Sequence, residues 1–169
     1  MLTIPREICC NLDQALTREW LVTNGLGGYA SSSITGANTR RYHGLLVAAL
    51  KPPAARTVTL SKIDEEVEVG GSTYRLGTNE YESGTLHPNG YVFLDRVEFD
   101  GTIPTLIYRS ANFTLYKTIW MEHGHNTTYL QYALNAHAQP IRLTLLPLCT
   151  FRDFHTELRG SSDWRFGVE

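Results

Sequence analysis

Alternation of apolar and polar residues with a period of two most constrains the fold of this 169-residue chain. Within the segment Phe113–Met121, four apolar side chains share one face, those of Phe113, Leu115, Ile119 and Met121. Successive side chains of a β-strand point to opposite faces of its sheet, so this pattern predicts a half-buried strand. The chain is also rich in threonine, tyrosine, valine and isoleucine, which suit a pleated sheet surface.

Similar segments recur and predict about ten strands at the spacing typical of a sandwich or barrel. Because no strand–helix alternation is present, doubly wound folds are excluded, and only Leu12–Arg18 predicts a short helix. We therefore predict an all-β chain, an antiparallel β-sandwich that forms a single domain over residues 1–169. Single strands are predicted at Glu19–Thr23, Tyr42–Leu50, Arg56–Ile63, Thr128–Asn135 and Ile141–Thr150. Two hairpins are predicted, Val67–Val69 with Tyr74–Leu76 and Tyr91–Phe99 with Ile103–Arg109.

Composition and charge exclude several classes of protein. The 15 lysines and arginines nearly balance the 17 aspartates and glutamates, so neither nucleic acid nor an anionic membrane is an expected partner. No apolar run approaches the roughly 20 residues of a membrane-spanning helix, and Met1–Cys10 lacks the features of a secretory signal. The three cysteines, two of them adjacent, suit a reducing compartment. We expect a soluble cytoplasmic protein.

The glycine-rich segment Trp20–Tyr29 is the most unusual stretch of the chain. Gly25, Gly27 and Ala30 match the spacing of a dinucleotide-binding fingerprint, but the residues that follow have no helical periodicity. Since that fingerprint needs a helix N-terminus to hold the pyrophosphate, nucleotide binding is not expected. We predict instead a tight hairpin or bulge, in which the glycines supply positive φ angles.

Two other segments combine basic and aromatic side chains, Asn38–Leu46 and Phe151–His155, and the first also contains the amide of Asn38. Arginine and asparagine donate hydrogen bonds to hydroxyl groups in fixed geometry, and aromatic faces cover the apolar side of a sugar ring. Loops at one end of a sandwich can converge, so both segments are candidates for one carbohydrate-binding surface. The candidate substrate-binding residues are Asn24, Asn38, Arg40, Arg41, Tyr42, His43, Arg152, Asp153 and His155.

The side chains of residues 40–43 have two alternative arrangements. If a strand begins there, Arg41 and His43 share one face and Arg40 shares the other with Tyr42, whereas a loop removes that restriction. Two roles are open for Arg152, Asp153 and His155, an ion-paired structural brace or a contact to the sugar. A pairing of Asp153 with Arg152 or with Arg40 would orient a guanidinium toward sugar hydroxyls.

Three blocks, Glu19–Ala30, Asn38–Val47 and Phe151–His155, together resemble the N-terminal domain of bacterial and archaeal glycogen debranching enzymes. The blocks occur in the family's order, and the resemblance covers nearly the whole chain. It implies a β-sandwich that precedes a helical (α/α)6-barrel glycosidase domain, packs beside it and helps to bind glucan. The family is associated with amylo-α-1,6-glucosidase activity and, by its description, with 4-α-glucanotransferase activity on branched α-glucans.

The chain departs from that family because it contains no stretch that could build the helical barrel. We therefore expect a fragment of a longer protein, and the strand-like segment Trp164–Glu169 at its end agrees with this expectation. Glycoside hydrolysis needs two carboxyl groups about 5–9.5 Å apart. Asp64–Glu66 reads as a charged strand edge or turn, so we expect no catalytic residue in this fragment.

Three functions remain open at this stage. The first is an accessory domain that binds an α-glucan, with the catalytic barrel of the same protein as its partner. The second is a structural domain that only docks that barrel, which predicts a large exposed apolar patch. The third is a free-standing, mutarotase-like enzyme that uses His43 or His155 as acid–base beside a carboxylate. His123 and His125 predict a hairpin turn, as do His87–Gly90, and we expect neither a metal site nor a cofactor.

Overall fold

Antiparallel strands make up nearly all regular structure in the computed structural model, which describes residues 2–136, 140–159, 165 and 167. The strands are β1 Leu2–Ile4, β2 Glu19–Thr23, β3 Tyr29–Ser33, β4 Gly44–Lys51, β5 Ala54–Val69, β6 Ser72–Arg75, β7 Thr78–Glu80, β8 Leu86–Asn89, β9 Leu94–Asp100, β10 Ile103–Arg109, β11 Phe113–Met121, β12 Thr128–Ala136 and β13 Ile141–Asp153. Two short helices, α1 Arg6–Cys9 and α2 Leu12–Leu16, precede β2, and a 3-10 turn spans Gly90–Phe93.

The strands form two main sheets. One has five strands in the order β1-β9-β10-β11-β12, and the other has the order β13-β5-β4-β3-β2 with β6 added beside β5. A separate hairpin pairs β7 with β8, and every pairing in the described residues is antiparallel. This arrangement confirms the predicted all-β antiparallel sandwich.

The core lies between the inner faces of the two sheets. In β11 the burial alternates from residue to residue, with Phe113, Leu115 and Ile119 at most 1% exposed. From the six-stranded sheet, Trp20 of β2 and Val67 of β5 join the same apolar cluster. The alternation visible in the sequence therefore matches the burial in the structure, because each of these strands packs one face against the core and exposes the other toward solvent.

The boundaries of three elements correct the sequence-based predictions. The strand predicted from Tyr91 begins at Leu94, because Gly90–Phe93 forms a 3-10 turn. His87–Asn89 belong to β8 and do not form a turn. Asp64–Glu66 form neither an edge strand nor a turn, since they lie inside the 16-residue strand β5, an inner strand of its sheet. All three residues pair with β13, and Glu66 also pairs with β6. The strand predicted at Trp164–Glu169 lies mostly outside the described residues.

Strand β3 was missed because it is polar yet buried. Ser31, Ser32 and Ser33 are all at most 8% exposed. Their hydroxyls donate to backbone carbonyls or neighbouring side chains, as Ser31 Oγ does to the Trp20 carbonyl at 2.7 Å. A buried hydroxyl with a partner costs little, so a row of serines can occupy a sheet interior without an apolar signature.

Candidate functional site

The glycine loop, residues 24–28, joins β2 to β3 as the predicted tight hairpin. Gly25 and Gly27 have φ angles of +77° and +95°, which L-residues with a side chain rarely adopt. Space is also absent, because a Cβ atom on Gly27 would lie 2.6 Å from the Pro53 carbonyl oxygen, and one on Gly25 would overlap the His123 ring. The glycines are therefore required both by backbone conformation and by close packing.

Asn24 holds this loop in shape and has no polar atom left for a ligand. Its side-chain oxygen accepts from the N–H groups of Leu26 at 2.9 Å and Gly28 at 3.0 Å. Its amide nitrogen donates to the His125 carbonyl and to Asn126 Oδ1, both at 3.0 Å. Asn24 is fully buried, so its effect on any binding surface is indirect.

An open groove of about 550 Å³ lies beside this loop on the outer face of β2 and β3. Its floor is formed by the outward side chains of β2 and by the glycine backbone, and Tyr29, Arg40 and Arg56 contribute to its walls. We call this feature the groove. Its lining residues are Glu19, Leu21, Thr23, Gly25, Gly27, Gly28, Tyr29, Ser31, Arg40, Tyr42, His43 and Arg56.

Residues 38–43 reach the groove as a loop, and β4 begins only at Gly44. The His43 N–H donates to the Arg40 carbonyl at 3.0 Å, which closes a turn. The Arg40 guanidinium pairs with Glu19 at the start of β2, with 2.5 Å between Nε and Oε1. Because the segment is a loop, the alternating face assignment does not apply, and Arg40, Arg41 and Tyr42 are all exposed.

His43 differs from its neighbours because it is only 2% exposed. Its Nδ1 accepts the Thr39 N–H at 3.1 Å, and its Nε2 lies 3.2 Å from Glu19 Oε1 without an aligned hydrogen bond. Burial lowers the pKa of His43, which outweighs the opposing effect of the Glu19 carboxylate. A histidine and a carboxylate thus meet here, but the imidazole is enclosed and its Nδ1 is occupied by the backbone, which disfavours a role as general acid or base.

The two polar segments predicted from the sequence do converge. Tyr42 packs against Phe154 with ring centroids 5.4 Å apart and against His155 edge-on at 5.7 Å. Arg41 Nη1 donates to the His155 carbonyl at 3.1 Å. We call Tyr42, Phe154 and His155 the aromatic cluster. Tyr42 lines the groove, and Phe154 and His155 lie against it just after the end of β13.

Arg56 connects the aromatic cluster to the glycine loop. Its guanidinium lies over the Phe154 ring, 5.4 Å from the centroid, and its Nε donates to the Gly27 carbonyl at 2.6 Å. On the opposite side, Tyr29 Oη donates to the Tyr42 carbonyl at 2.7 Å. The groove walls are therefore fixed by contacts between β3, β5 and the two loops.

Three of the candidate residues use their side chains for hydrogen bonds to backbone groups. The Asp153 carboxylate accepts the His155 N–H at 2.9 Å and pairs with neither Arg152 nor Arg40, so the predicted ion pair is wrong. Arg152 donates to the carbonyls of Thr156 and Arg41, which ties the two segments together. Asn38 lies outside the groove lining and donates to Ser61 at 3.0 Å.

Sequence reasoning missed three residues of this region, namely Glu19, Arg56 and Phe154. Glu19 and Phe154 lie inside the blocks that carry the family resemblance, so the sequence did contain an indication that they belong to the site. For Arg56 it contained none, because the position of Arg56 depends on the pairing of β4 with β5.

Among the described residues no group of three His, Cys, Asp or Glu side chains could hold a metal ion. His123 and His125 lie in the predicted hairpin turn, since the Glu122 N–H donates to the Thr127 carbonyl at 3.1 Å. No helix in the described part of the chain is long and apolar enough to cross a membrane.

A family model described as glycogen debranching enzyme N terminal matches residues 18–168, which include the glycine loop, residues 38–43 and the aromatic cluster. No curated protein and no solved structure matches the chain.

Proposed function

The chain belongs to the family of glycogen debranching enzyme N-terminal domains, and from this premise we propose that it binds an α-glucan in the groove. Bound there, the glucan would be positioned for hydrolysis of α-1,6 branch points by a catalytic (α/α)6 barrel elsewhere in the parent protein. The observation that carries the proposal is the convergence of Arg41 and Tyr42 with Phe154 and His155 beside the groove.

The chemistry of the groove suits a neutral polyol. Within the groove, the Arg40 guanidinium and the Tyr42 hydroxyl offer hydrogen-bond donors and the Glu19 carboxylate offers acceptors, and the exposed Arg41 guanidinium adjoins them in the same loop. The aromatic rings offer apolar faces against which the C–H side of a pyranose can pack. Because Arg40 is paired with Glu19, the donors are held in place without a large excess of one charge.

Binding without cleavage is the role that these residues favour. Glycoside hydrolysis needs two carboxyl groups that flank the bond, and Glu19 is the one carboxylate among the described residues lining the groove. Glu19 is also engaged by Arg40. We infer that the acid and base of the amylo-α-1,6-glucosidase reaction, and any 4-α-glucanotransferase activity, belong to another part of the parent protein.

Chemical-shift titration of the chain with maltotetraose and with a branched α-glucan dextrin tests this proposal. We expect localised shifts at residues 40–43 and 154–155, and about tenfold weaker binding in Arg41→Ala and in Tyr42→Ala. Arg75→Ala is the matched control, because Arg75 is also exposed and also near a carboxylate, that of Glu66 at 3.0 Å. Unchanged spectra at millimolar sugar would refute binding by this domain.

A second candidate role, docking of the catalytic barrel, is favoured by the edge strand β13. Four of its apolar side chains are at least 42% exposed, those of Leu145, Leu146, Leu148 and Phe151. Exposed apolar side chains concentrated on one strand are typical of a surface that a partner covers. The two roles are compatible, because Phe154 and His155 of the aromatic cluster follow directly after β13.

Docking can be tested separately from glucan binding. We expect the double substitution Leu146→Lys and Leu148→Lys to weaken association with a separately expressed catalytic barrel at least about tenfold. The maltotetraose titration should stay unchanged in this variant. Equal association of the substituted and unsubstituted chains would exclude β13 as the docking surface.

A further inference from the structure

Arg56 lines the groove as a half-buried arginine with unused hydrogen-bond donors. A guanidinium carries five N–H donors in a planar fork. The Arg56 Nε donates to the Gly27 carbonyl at 2.6 Å, but Nη1 and Nη2 have no hydrogen-bond partner among the described residues. No carboxylate in that part of the chain pairs with Arg56 either. Its two terminal nitrogens are therefore available to a ligand in the groove.

Two contacts fix the plane of this guanidinium. Its Cζ lies 5.4 Å from the centroid of the Phe154 ring, and its Nε is held by the Gly27 carbonyl. The Phe154 ring is itself anchored, since the Phe154 N–H donates to the Arg56 carbonyl at 3.1 Å. A side chain that is already ordered loses little conformational freedom when a ligand binds. Arg56 therefore presents its free donors in a fixed direction and at a low entropy cost.

The neighbouring arginines differ from Arg56 in this respect. Arg40 also lines the groove, but its Nε pairs with Glu19 and its side chain is exposed. Arg41 does not line the groove, and its Nε lies 3.8 Å from a carboxylate oxygen of Glu157. Arg56 is thus the arginine of the groove that combines a fixed plane with free terminal donors and no bound carboxylate among the described residues.

We propose that Arg56 determines the specificity of the groove by donating from Nη1 and Nη2 to the neighbouring 2- and 3-hydroxyls of one glucose unit. The inference rests on the proposed function of the groove and adds which edge of the sugar is recognised. In a glucan joined by 1,4 and 1,6 bonds, the hydroxyls at positions 2 and 3 are free on every unit, including the unit that carries a branch. A contact to this edge therefore accepts linear segments and branch points alike.

A neutral diol suits this position better than an anion. A forked guanidinium also binds carboxylates and phosphates, so Arg56 alone does not separate the two kinds of ligand. The Glu19 carboxylate lines the same groove, however, and would repel a second negative charge. Hydroxyl oxygens accept from the guanidinium without adding charge, and the remaining lining includes the apolar side chain of Leu21.

A series of modified sugars tests the proposal by titration of the wild-type chain. The probes are maltotetraose, an analogue that lacks the 3-hydroxyl on every unit and an analogue that lacks the 6-hydroxyl on every unit. The 3-deoxy analogue should bind about tenfold more weakly than maltotetraose because Arg56 loses an acceptor, whereas the 6-deoxy analogue should bind within about twofold. Maltotetraose should also shift the Arg56 Nε–H signal. This series needs no substitution, so it holds even if a variant of Arg56 fails to fold.

Arg56→Lys separates recognition of the sugar from support of the groove. Lysine keeps the charge but lacks the fork, so maltotetraose should bind about tenfold more weakly and the preference over the 3-deoxy analogue should disappear. A purely structural role of Arg56 would weaken both sugars alike and leave that preference unchanged. Arg18→Lys is the matched control and should change neither quantity. Arg18 is also half-buried and also donates to a backbone carbonyl at 2.6 Å, that of Gln14, but it lies outside the groove lining.

Equal binding of maltotetraose and its 3-deoxy analogue to the wild-type chain would overturn the proposal even if the groove binds glucan. A preference that survives in Arg56→Lys would overturn it as well. Tighter binding of inorganic phosphate than of maltotetraose, with a shift of the Arg56 Nε–H signal, would assign the fork to an anion and contradict the proposal. Failure of the groove itself would show differently, as unchanged signals of residues 40–43 with maltotetraose, and would overturn both proposals.

Discussion

Two clusters of charged residues, one in the core and one at the groove, each pair a glutamate with a basic side chain, but one pair is buried and the other is exposed. In the core cluster, Glu65 of β5 receives Lys117 Nζ at 2.6 Å and the Tyr132 hydroxyl at 2.7 Å from the facing sheet. In the groove cluster, Glu19 receives Arg40 at 2.5 Å, but the Arg40 side chain remains 63% exposed. The core cluster thus leaves no group for a ligand, whereas the groove cluster keeps donors free.

The comparison shows that exposure, more than the type of residue, separates a structural ion pair from a binding one. Burial, the Glu65 charge and their hydrogen bond all keep the pKa of Tyr132 above its ordinary value, so this hydroxyl remains a donor. Both partners of Glu65 come from the five-stranded sheet, so the cluster ties the two sheets at one position. The groove cluster instead ties a loop to a strand end.

The largest expected difference between the clusters is in stability. Lys117→Met leaves the Glu65 carboxylate buried without its counter-charge, and we expect a loss of about 3–5 kcal/mol in the free energy of unfolding. Arg40→Met, at the exposed pair, should cost less than about 1 kcal/mol. Urea unfolding measures both values. Equal losses in the two variants would contradict the distinction between the clusters.

A smaller effect is expected from the glycine loop, which shapes the groove through the backbone. Gly27→Ala combines a positive φ angle with a Cβ position 2.6 Å from the Pro53 carbonyl oxygen, so we expect a loss of about 1–3 kcal/mol. Gly36→Ala is the control, because Gly36 has a φ of +79° but open space around its Cβ position. It should cost about 1 kcal/mol in thermal or urea unfolding. If the two losses are the same, close packing at Gly27 contributes nothing.

The smallest effect concerns pH and the enclosed imidazole of the groove cluster. Because burial lowers the pKa of His43 in the folded chain, the unfolded chain binds the proton more readily. Stability should therefore fall as the pH falls below the unfolded value of about 6.5, by at most about 1.4 kcal/mol per pH unit, until the folded pKa is reached. Above that pH range, His43 should not make the free energy of unfolding depend on pH.

Comparison of unfolding curves for the wild-type chain and His43→Gln between pH 5 and about 7.5 isolates this contribution, since other titrating groups are common to both. Glutamine can still accept the Thr39 N–H. A slope that is the same in both chains would show that His43 does not bind its proton more weakly in the folded state.

Local pattern was enough to predict several elements of the fold. The observed bounds of β2, β10 and β11 are those expected from the sequence, because alternation within one strand is a local property. Strand β3 escaped because its buried serines find backbone partners within the fold. The interpretation of Asp64–Glu66 as an edge was also wrong because of contacts distant in the sequence. The Glu65 carboxylate accepts hydrogen bonds from Lys117 and Tyr132, both more than 50 positions away.

The site was predictable in part. The convergence of residues 40–43 with Phe154 and His155 follows from the proximity of loops at the end of a sandwich, and the composition of both segments pointed to it. The participation of Arg56 did not follow, because it depends on which strands pair and in which register. The burial of Asn24 and His43 was likewise invisible in the sequence, since polar residue types give no sign of enclosure.

The sequence by itself determined the all-β class, the two predicted hairpins and the segments rich in arginine and aromatic residues, because these depend on local periodicity and residue type. Only the tertiary structure decided which polar side chains are enclosed and which face the groove. Burial and pairing are set by strand order and register, which bring Glu65 to Lys117 across the two sheets and Glu19 to Arg40 between a strand end and a loop of one sheet. The same carboxylate chemistry therefore stabilises the core at one position and leaves a binding surface at the other.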